Sequence, residues 1–387
     1  MNAPVYLDHN ATTRPAPEAV AEMHDALERA WANPSSTHAP GQAARRLLAD
    51  ARARVAAFLG CQAAELVFTS GATEANHMAV LGALAAARAA GRRRLVLSAV
   101  EHPGLLALAS RLQAEGVSVD RIPVDGGGRL DLEAARALIR DDVALVSVMG
   151  ANNETGVLMP VAEVAALAHA AGSWLHVDAT QLAGKARLHF ARGGADLMSV
   201  SAHKLHGPKG VGALLVKKGV LLPALLAGRQ ERHRRGGTEN LPGIAGFAAA
   251  CERAARTLDD DLARMAALRQ QLEDGLRALP GVHVHGAGEP RLGNTLCLRF
   301  GTLDSELVLS RLERAGVLAS SGAACTAGGT QPSHVLLAMG EPIELARAAV
   351  RFSFGRDNTE AEVRRVLEAV QRTLGPLLAA ESEAALT

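Results

Sequence analysis

At 387 residues, 48% of them hydrophobic, the chain is long enough to bury more than one core, and two domains are the natural expectation. Lys and Arg (41) nearly cancel Asp and Glu (40), which argues against a generally basic nucleic-acid surface and against an acidic disordered tail. The first residues lack the basic-then-apolar pattern of a leader, and the most apolar long stretch, "VGALLVKKGVLLPALLAG", is interrupted by Lys217 and Lys218, so a soluble, cytoplasmic protein with no membrane contact is expected.

Taken in chain order, short apolar runs alternate with Ala-rich helical stretches through the first two thirds of the sequence, the pattern of a parallel sheet covered by helices. "VFTSGATEAN" reads as a strand, a turn at Ser70, Gly71, Ala72 and Thr73, and a helix; its N-terminus could receive a phosphate or simply be capped. "LVLSAVEHP" leaves its strand at Glu101 and His102, and "VALVSVMGANNETG" at Asn152 and Asn153. "SWLHVDATQ" ends at Asp178 and Gln181, and "DLMSVSAHK" at Ser201, His203 and Lys204. In an open α/β sheet ligands bind beyond the carboxyl ends of the strands, so these groups are expected to converge on one crevice.

"RQERHRR", residues 229 to 235, reads as a solvated basic loop. Near residue 260 the pattern changes: "LDDDLARMAALRQQLEDGLRALP" sets Leu258, Leu262, Met265, Leu272, Leu276 and Leu279 on one face of a connecting helix that Pro280 ends. "NTLCLRF", "GVLAS" and "AAVRFSFG" follow, separated by helices, and suggest a smaller α+β domain.

The four cysteines are far apart and form no CxxC, so no disulfide framework or Cys-rich zinc site is suggested. Cys251 and Cys297 lie in apolar or helical runs and are expected to be buried. Cys325 differs. The stretch "SSGAACTAGGTQPSH" around it is small and Gly-rich, which predicts an accessible, mobile loop from Ser320 to about Pro332, with Pro332 and Ser333 starting the next helix.

Lys204, where a strand runs out among small residues, is either a solvated lysine or a reactive amine. Asp178 ends the preceding strand, and a buried carboxylate there needs a cation nearby; a protonated pyridine nitrogen is one candidate, with a lysine on the same ring's aldehyde as its companion. Neither GxxxxGK[ST] nor a well-placed GxGxxG occurs, so pyridoxal phosphate fits these groups better than a nucleotide.

"VYLDHNATTR", "NPSSTH", "FTSGATEAN", "EHP", "NNETGV", "HVDATQ", "SAHKLHGPKG", "RRGGTEN", "SSGAACTAG" and "RFSFGR" occur in this order from Val5 to about Thr359, and together they closely resemble the NifS/IscS-type cysteine desulfurases of the aminotransferase class V group. The resemblance implies the α/β fold type I of pyridoxal-phosphate-dependent transferases. Its large cofactor domain, with a mostly parallel seven-stranded sheet between helices, would span 15–261, and a smaller α+β domain would be formed by 1–14 and 262–387. It implies Lys204 as the Schiff-base lysine, Asp178 as partner of the pyridine nitrogen, Gln181 beside the ring hydroxyl and His102 stacked on the ring. Ala72, Thr73, Ser201 and His203 would hold the phosphate, joined by Thr238 of the other subunit of a homodimer. Asn153 and Arg351 would hold the substrate carboxylate, and Cys325 would accept sulfur. The implied reaction converts L-cysteine to L-alanine and a persulfide on Cys325, which supplies an iron-sulfur scaffold, nitrogenase-related or otherwise, or another acceptor.

No metal site is expected with certainty; Cys325 is left open as an iron-sulfur ligand. His233 stands where the family pattern expects Gly. Rival readings are a selenocysteine lyase or aminotransferase of the same fold, a metal site using His203, His206 and Cys325, and a nucleic-acid module built on "RQERHRR", which the near-neutral charge disfavours.

Overall fold

A computed structural model describes residues 3–321 and 331–384. The chain opens with β1 (Val5–Tyr6) and then lays down β2 (Leu66–Thr69), β3 (Arg94–Ser98), β4 (Ser118–Ile122), β5 (Val143–Met149), β6 (Trp174–Asp178), β7 (Leu197–Ser201) and β8 (Gly212–Val216). The last seven form one sheet in the order β2-β8-β7-β6-β5-β3-β4. Its pairings from β4 to β7 are parallel, and β8 runs antiparallel to both β7 and β2. β5, β7 and β8 are buried along their whole length, as continuous apolar runs require when helices cover both faces of a parallel sheet.

One face packs on the helix Ala39–Leu59 and the start of the helix Leu241–Arg277, the other on the helices Ala72–Ala87 and Pro103–Ala114. A separate core gathers Val5 and Leu7, Met265 to Leu276 of the long helix, and Leu374 and Leu378 near the other end of the chain. It lies against a four-stranded sheet in the order β12 (Ser320–Ser321), β13 (Ala349–Ser353), β10 (Thr295–Phe300), β9 (Val282–Val284), while β11 (Val317–Leu318) pairs with β1. Among the described residues no helix is long and apolar enough to cross a membrane.

The helix expected from about residue 258 begins at Leu241 and runs unbroken for 37 residues. Ile244 to Cys251 are buried on all sides, which hides the 3.6-residue period on which the sequence reading depends; Met265, Leu268, Leu272 and Leu276 then show it plainly. Ser333 is the cap and not the first turn of its helix: Oγ accepts from Leu336 N–H and the helix spans His334–Ala338.

"RQERHRR" departs further from a solvated loop. Glu231 is buried, takes both guanidinium nitrogens of Arg52 and accepts from the Phe68 N–H, while Arg235 bonds Glu74. Glu231, Arg232 and His233 all adopt positive φ (46°, 57° and 64°), so the segment keeps at His233 the left-handed backbone a glycine would take without strain. Cys251 and Cys297 are fully buried, as expected, and burial pushes both thiols up.

Candidate active site

The polar groups that end the strands do converge. A cavity of about 470 Å³ is lined by Ala72, Thr73, His102, Asn153, Asp178, Gln181, Ser201, His203, Lys204 and Arg351. Thr238 is exposed and is not among the residues lining this cavity of its own chain. Cys325 lies outside the described residues.

Each wall follows from local sequence. The helix Ala72–Ala87 starts at Gly71, whose lack of a side chain leaves the cap position without a side-chain acceptor, so the first amides and the positive end of the helix face the cavity through Ala72 and Thr73. A Cβ at Gly71 would stand 3.7 Å from Ser201 Oγ, and β8 comes so close at Gly212 that a Cβ there would meet Val200 O at 2.5 Å. Backbone therefore forms this corner, as an anion cradle requires.

His102 caps the helix Pro103–Ala114, with Pro at the first helical position, and its Nδ1 accepts from Gly104 N–H at 3.1 Å. That bond assigns the proton of the neutral ring to Nε2. Burial holds the imidazole below its ordinary value; Asp178 opposes this, while Lys204 and His334 add to it. Asp178 ends β6 with Oδ1 accepting from Thr180 N–H at 3.0 Å and Oδ2 from Asn76 Nδ2 at 2.8 Å. Lys204 closes a short 3₁₀ turn after β7 and donates through Nζ to the carbonyls of Asn10 and Ala11. His203 Nδ1 meets Thr12 Oγ1 at 3.1 Å, and burial followed by the charges of Lys204, Lys209 and Lys185 pushes its ring down to about 4. Lys204 and Lys209 line the cavity with it, a concentration of positive charge suited to a phosphate.

On the opposite wall Arg351 of β13 is buried and donates to Asn153 O at 2.9 Å and to Asp8 Oδ1 at 2.7 Å. Asp8 thus occupies one tine of the guanidinium fork. Asn76 Oδ1 and Asn153 Oδ1 are buried without a hydrogen-bond partner, and both residues line the cavity. A carboxylate-bearing, phosphate-bearing ligand with hydrogen-bond donors fits these unused acceptors and this positive field.

Two strand-end residues do not reach the cavity. Glu101 is completely buried behind it, accepting from Ser98 Oγ and from Met149 N–H (2.7 Å) through one oxygen, and burial pushes its carboxyl up to about 8. Asn152 instead shapes the turn that presents Asn153, its Oδ1 accepting from the Glu154 and Thr155 amides. His203 and His206 bond to Thr12 Oγ1 and to Arg14 O respectively, and neither belongs to the group of three metal-ligating side chains found among the described residues.

Sequence reasoning gave no role to Asn10, yet it joins both sheets. Its Nδ2 donates to Asn153 O and Thr295 Oγ1, its Oδ1 accepts from Lys185 and Asn294, and its carbonyl accepts from Gln181 and Lys204. The one sequence signal was its place in "LDHNATT", a polar run directly after an apolar start.

A strand-end lysine, a strand-end aspartate, a histidine cap and a bare helix N-terminus facing one cavity define a pyridoxal-phosphate site on an α/β sheet. The aminotransferase class-V family model matches residues 5–366, and the chain belongs to that family, whose cofactor is pyridoxal 5'-phosphate. A cysteine desulfurase of Rhodobacter capsulatus is 48% identical over 376 residues, covering 96% of this chain and 97% of the relative. Among solved structures, a NifS-like protein superposes with a TM-score of 0.90 at 35% identity, over 96% of this chain and 99% of the other. A second, described as SspA in complex with cysteine, gives 0.80 at 28% identity, over 92% and 100%.

Proposed function

We propose that the protein is a pyridoxal-phosphate-dependent cysteine desulfurase that converts L-cysteine to L-alanine and leaves the sulfur as a persulfide on Cys325. The observation that carries the reading is the meeting of Lys204, Asp178, His102 and the Asn153–Arg351 pair on one cavity, in a chain similar throughout to cysteine desulfurases. When bound, the cofactor supplies an aldehyde that captures the substrate amine and a protonated ring that accepts the electron pair released at Cα.

The chain's own groups do the rest. Asp178, held by Asn76 and the Thr180 amide, keeps a proton on a ring nitrogen set against it. Lys204 Nζ anchors the aldehyde at rest and carries the Cα proton once released. The amides of Ala72 and Thr73, with Thr73, Ser201 and His203, hold the phosphate, and Gln181 bonds the ring hydroxyl. Arg351, braced by the Asn153 carbonyl and Asp8, takes the substrate carboxylate together with the Asn153 side chain. His102, kept neutral by burial, removes the thiol proton. The substrate's Cβ–S bond then breaks as a bond forms between that sulfur and Cys325 Sγ, and the protons held by the chain return to complete alanine.

On the same reading the enzyme is a cytoplasmic homodimer in which Thr238 reaches the partner's phosphate. The persulfide passes to an acceptor protein such as an iron-sulfur scaffold, where Cys325 would also be placed to ligate iron. The division into 15–261 and 1–14 with 262–387 is supported by the separate core of Val5, Leu7 and residues between 265 and 378, reached through the long helix, while Cys297, Val335, Leu336, Met339, Ala346 and Ala349 pack on the large-domain core. The test is to incubate the purified holoenzyme with L-cysteine and follow alanine, sulfide and the cofactor spectrum. Equal alanine and persulfide in the first turnover, with persulfide and sulfide release both lost in Cys325→Ser while the cofactor colour is kept, supports the reading; sulfide release by that variant at the wild-type rate contradicts it.

A further inference from the structure

The edge of the four-stranded sheet carries a second polar cluster, none of whose residues lines the cavity. His283 on β9 and His285 just beyond it are two residues apart and so share one face of the strand. Glu341, in the turn after the helix His334–Ala338, reaches the same place. Glu341 Oε1 is 3.3 Å from His285 Nδ1 and 3.9 Å from His283 Nε2, and one ligand atom from each of the three residues lies within 4.8 Å of the others.

His285 is the telling residue. Its side chain is 1% exposed, yet among the described residues neither ring nitrogen has a hydrogen-bond partner. Nδ1 stands close to a carboxylate oxygen without the alignment of a hydrogen bond, which is how donor atoms stand when they face a common point instead of each other. A buried imidazole with both nitrogens unused is costly, and native structures rarely keep one without a reason. Burial first, then the charges of His283 and Arg299, pushes this ring down to about 3, so it is neutral at physiological pH with a lone pair to give.

We propose that His283, His285 and Glu341 bind one Zn²⁺ ion. Two imidazoles and one carboxylate are a borderline-soft N₂O set typical of zinc, and bonds of about 2.1 Å place tetrahedral ligand atoms about 3.4 Å apart. The His285–Glu341 separation already meets that spacing, the His283–Glu341 pair needs to close by about 0.5 Å and the two histidines by at most about 1.4 Å, which the half-exposed His283 side chain can supply. Its exposure also leaves the fourth position to water. Arg299, opposite His283 in the strand pairing, is a positive charge acting on the site, and its Nη1 is turned to the Gly301 carbonyl. The ion ties the sheet's edge strand to the segment whose cap, Ser333, bonds Glu154 beside Asn153.

The experiment uses the full-length holoenzyme, free of L-cysteine, equilibrated with micromolar ZnCl₂ and passed through gel filtration, with zinc counted per chain. Wild type is expected to retain one equivalent and to gain thermal stability from it. His283→Ala, which alters a half-exposed residue and keeps the fold and cofactor colour, is expected to bind at least about tenfold more weakly and lose the thermal gain; Glu341→Gln should do the same, and His285→Ala should lose the ion. The absence of bound zinc in wild type, or equal zinc and equal thermal gain in wild type and His283→Ala, overturns the proposal.

Discussion

Two lysines stand on either side of Asn10 in unlike surroundings. Lys204 lines the cavity and donates to the Asn10 and Ala11 carbonyls. Lys185 lies behind the wall, fully buried, with Nζ donating to Asn10 Oδ1 at 3.0 Å and to Gln181 Oε1. Burial, then the charges of Lys204 and Arg351, drives the Lys185 amine well below its ordinary value, which on pKa alone would suit a nucleophile. Its two hydrogen bonds hold the wall, and the cavity that touches it is only about 30 Å³. Asp178 and Glu101 repeat the pattern: the front carboxylate accepts from Asn76 and Thr180 at the cavity edge, while the rear one is sealed and pushed toward its neutral form. Access decides which group does chemistry, and burial decides which group bears on stability.

This division gives expectations that can be broken one at a time. The largest effect belongs to the front carboxylate. Asp178→Ala is expected to cost about 10³ to 10⁴ in kcat, about 4–5.5 kcal/mol of transition-state stabilisation, with the elution volume on gel filtration unchanged. Steady-state alanine formation checks it, and a loss below tenfold would place Asp178 with the structural layer. Next comes Arg351→Lys, which keeps the charge but not the fork: KM for L-cysteine is expected to rise about 10- to 100-fold with a smaller change in kcat. An unchanged KM would mean that Asp8 alone claims the guanidinium.

The rear layer should answer in stability instead. Glu101 has a folded value of about 8 against an ordinary 4.5, so the folded protein holds its proton more tightly than the unfolded chain does. Its contribution is full below about pH 4.5 and is lost as pH rises toward 8. Glu101→Gln removes that dependence, and its stability relative to wild type is expected to improve between pH 5 and pH 8 by about 2–4 kcal/mol. His176, fully buried between Ser147 and Ser199 and pushed down to about 4, works the other way: protonation of the unfolded chain withdraws stability as pH falls from 6.5 to about 4. Denaturant unfolding across pH 5–8 checks the Glu101 expectation, with a flat difference between variant and wild type against it.

The front layer was legible because parallel strands announce their ends. An apolar run that stops at His102, Asp178 or Ser201 marks a position on the chain and a direction in space at once, and the sheet brings those positions together. The rear layer was not. Glu101 follows the same kind of run as His102, and nothing in "AVEHP" tells which of two adjacent residues turns inward. Arg351 was placed by the family resemblance alone, because the pairing of its strand β13 is revealed by no local pattern, and Asn10, from a turn near the other end of the chain, was not placed at all. His283 and His285 form an alternating pair on an edge strand, but their third partner is far along the chain at Glu341. The start of the long helix was missed for a related reason: where Ile244 to Cys251 are buried all round, no polar face remains to mark the period.

The claim on which all this rests is that Lys204, and not its buried neighbour, carries the cofactor. Borohydride reduction of the holoenzyme fixes the cofactor to whichever amine holds it, and peptide mapping then reads the position. The account requires the label on Lys204 with Lys185 unmodified; a label on Lys185, or on a lysine away from the cavity, would contradict it.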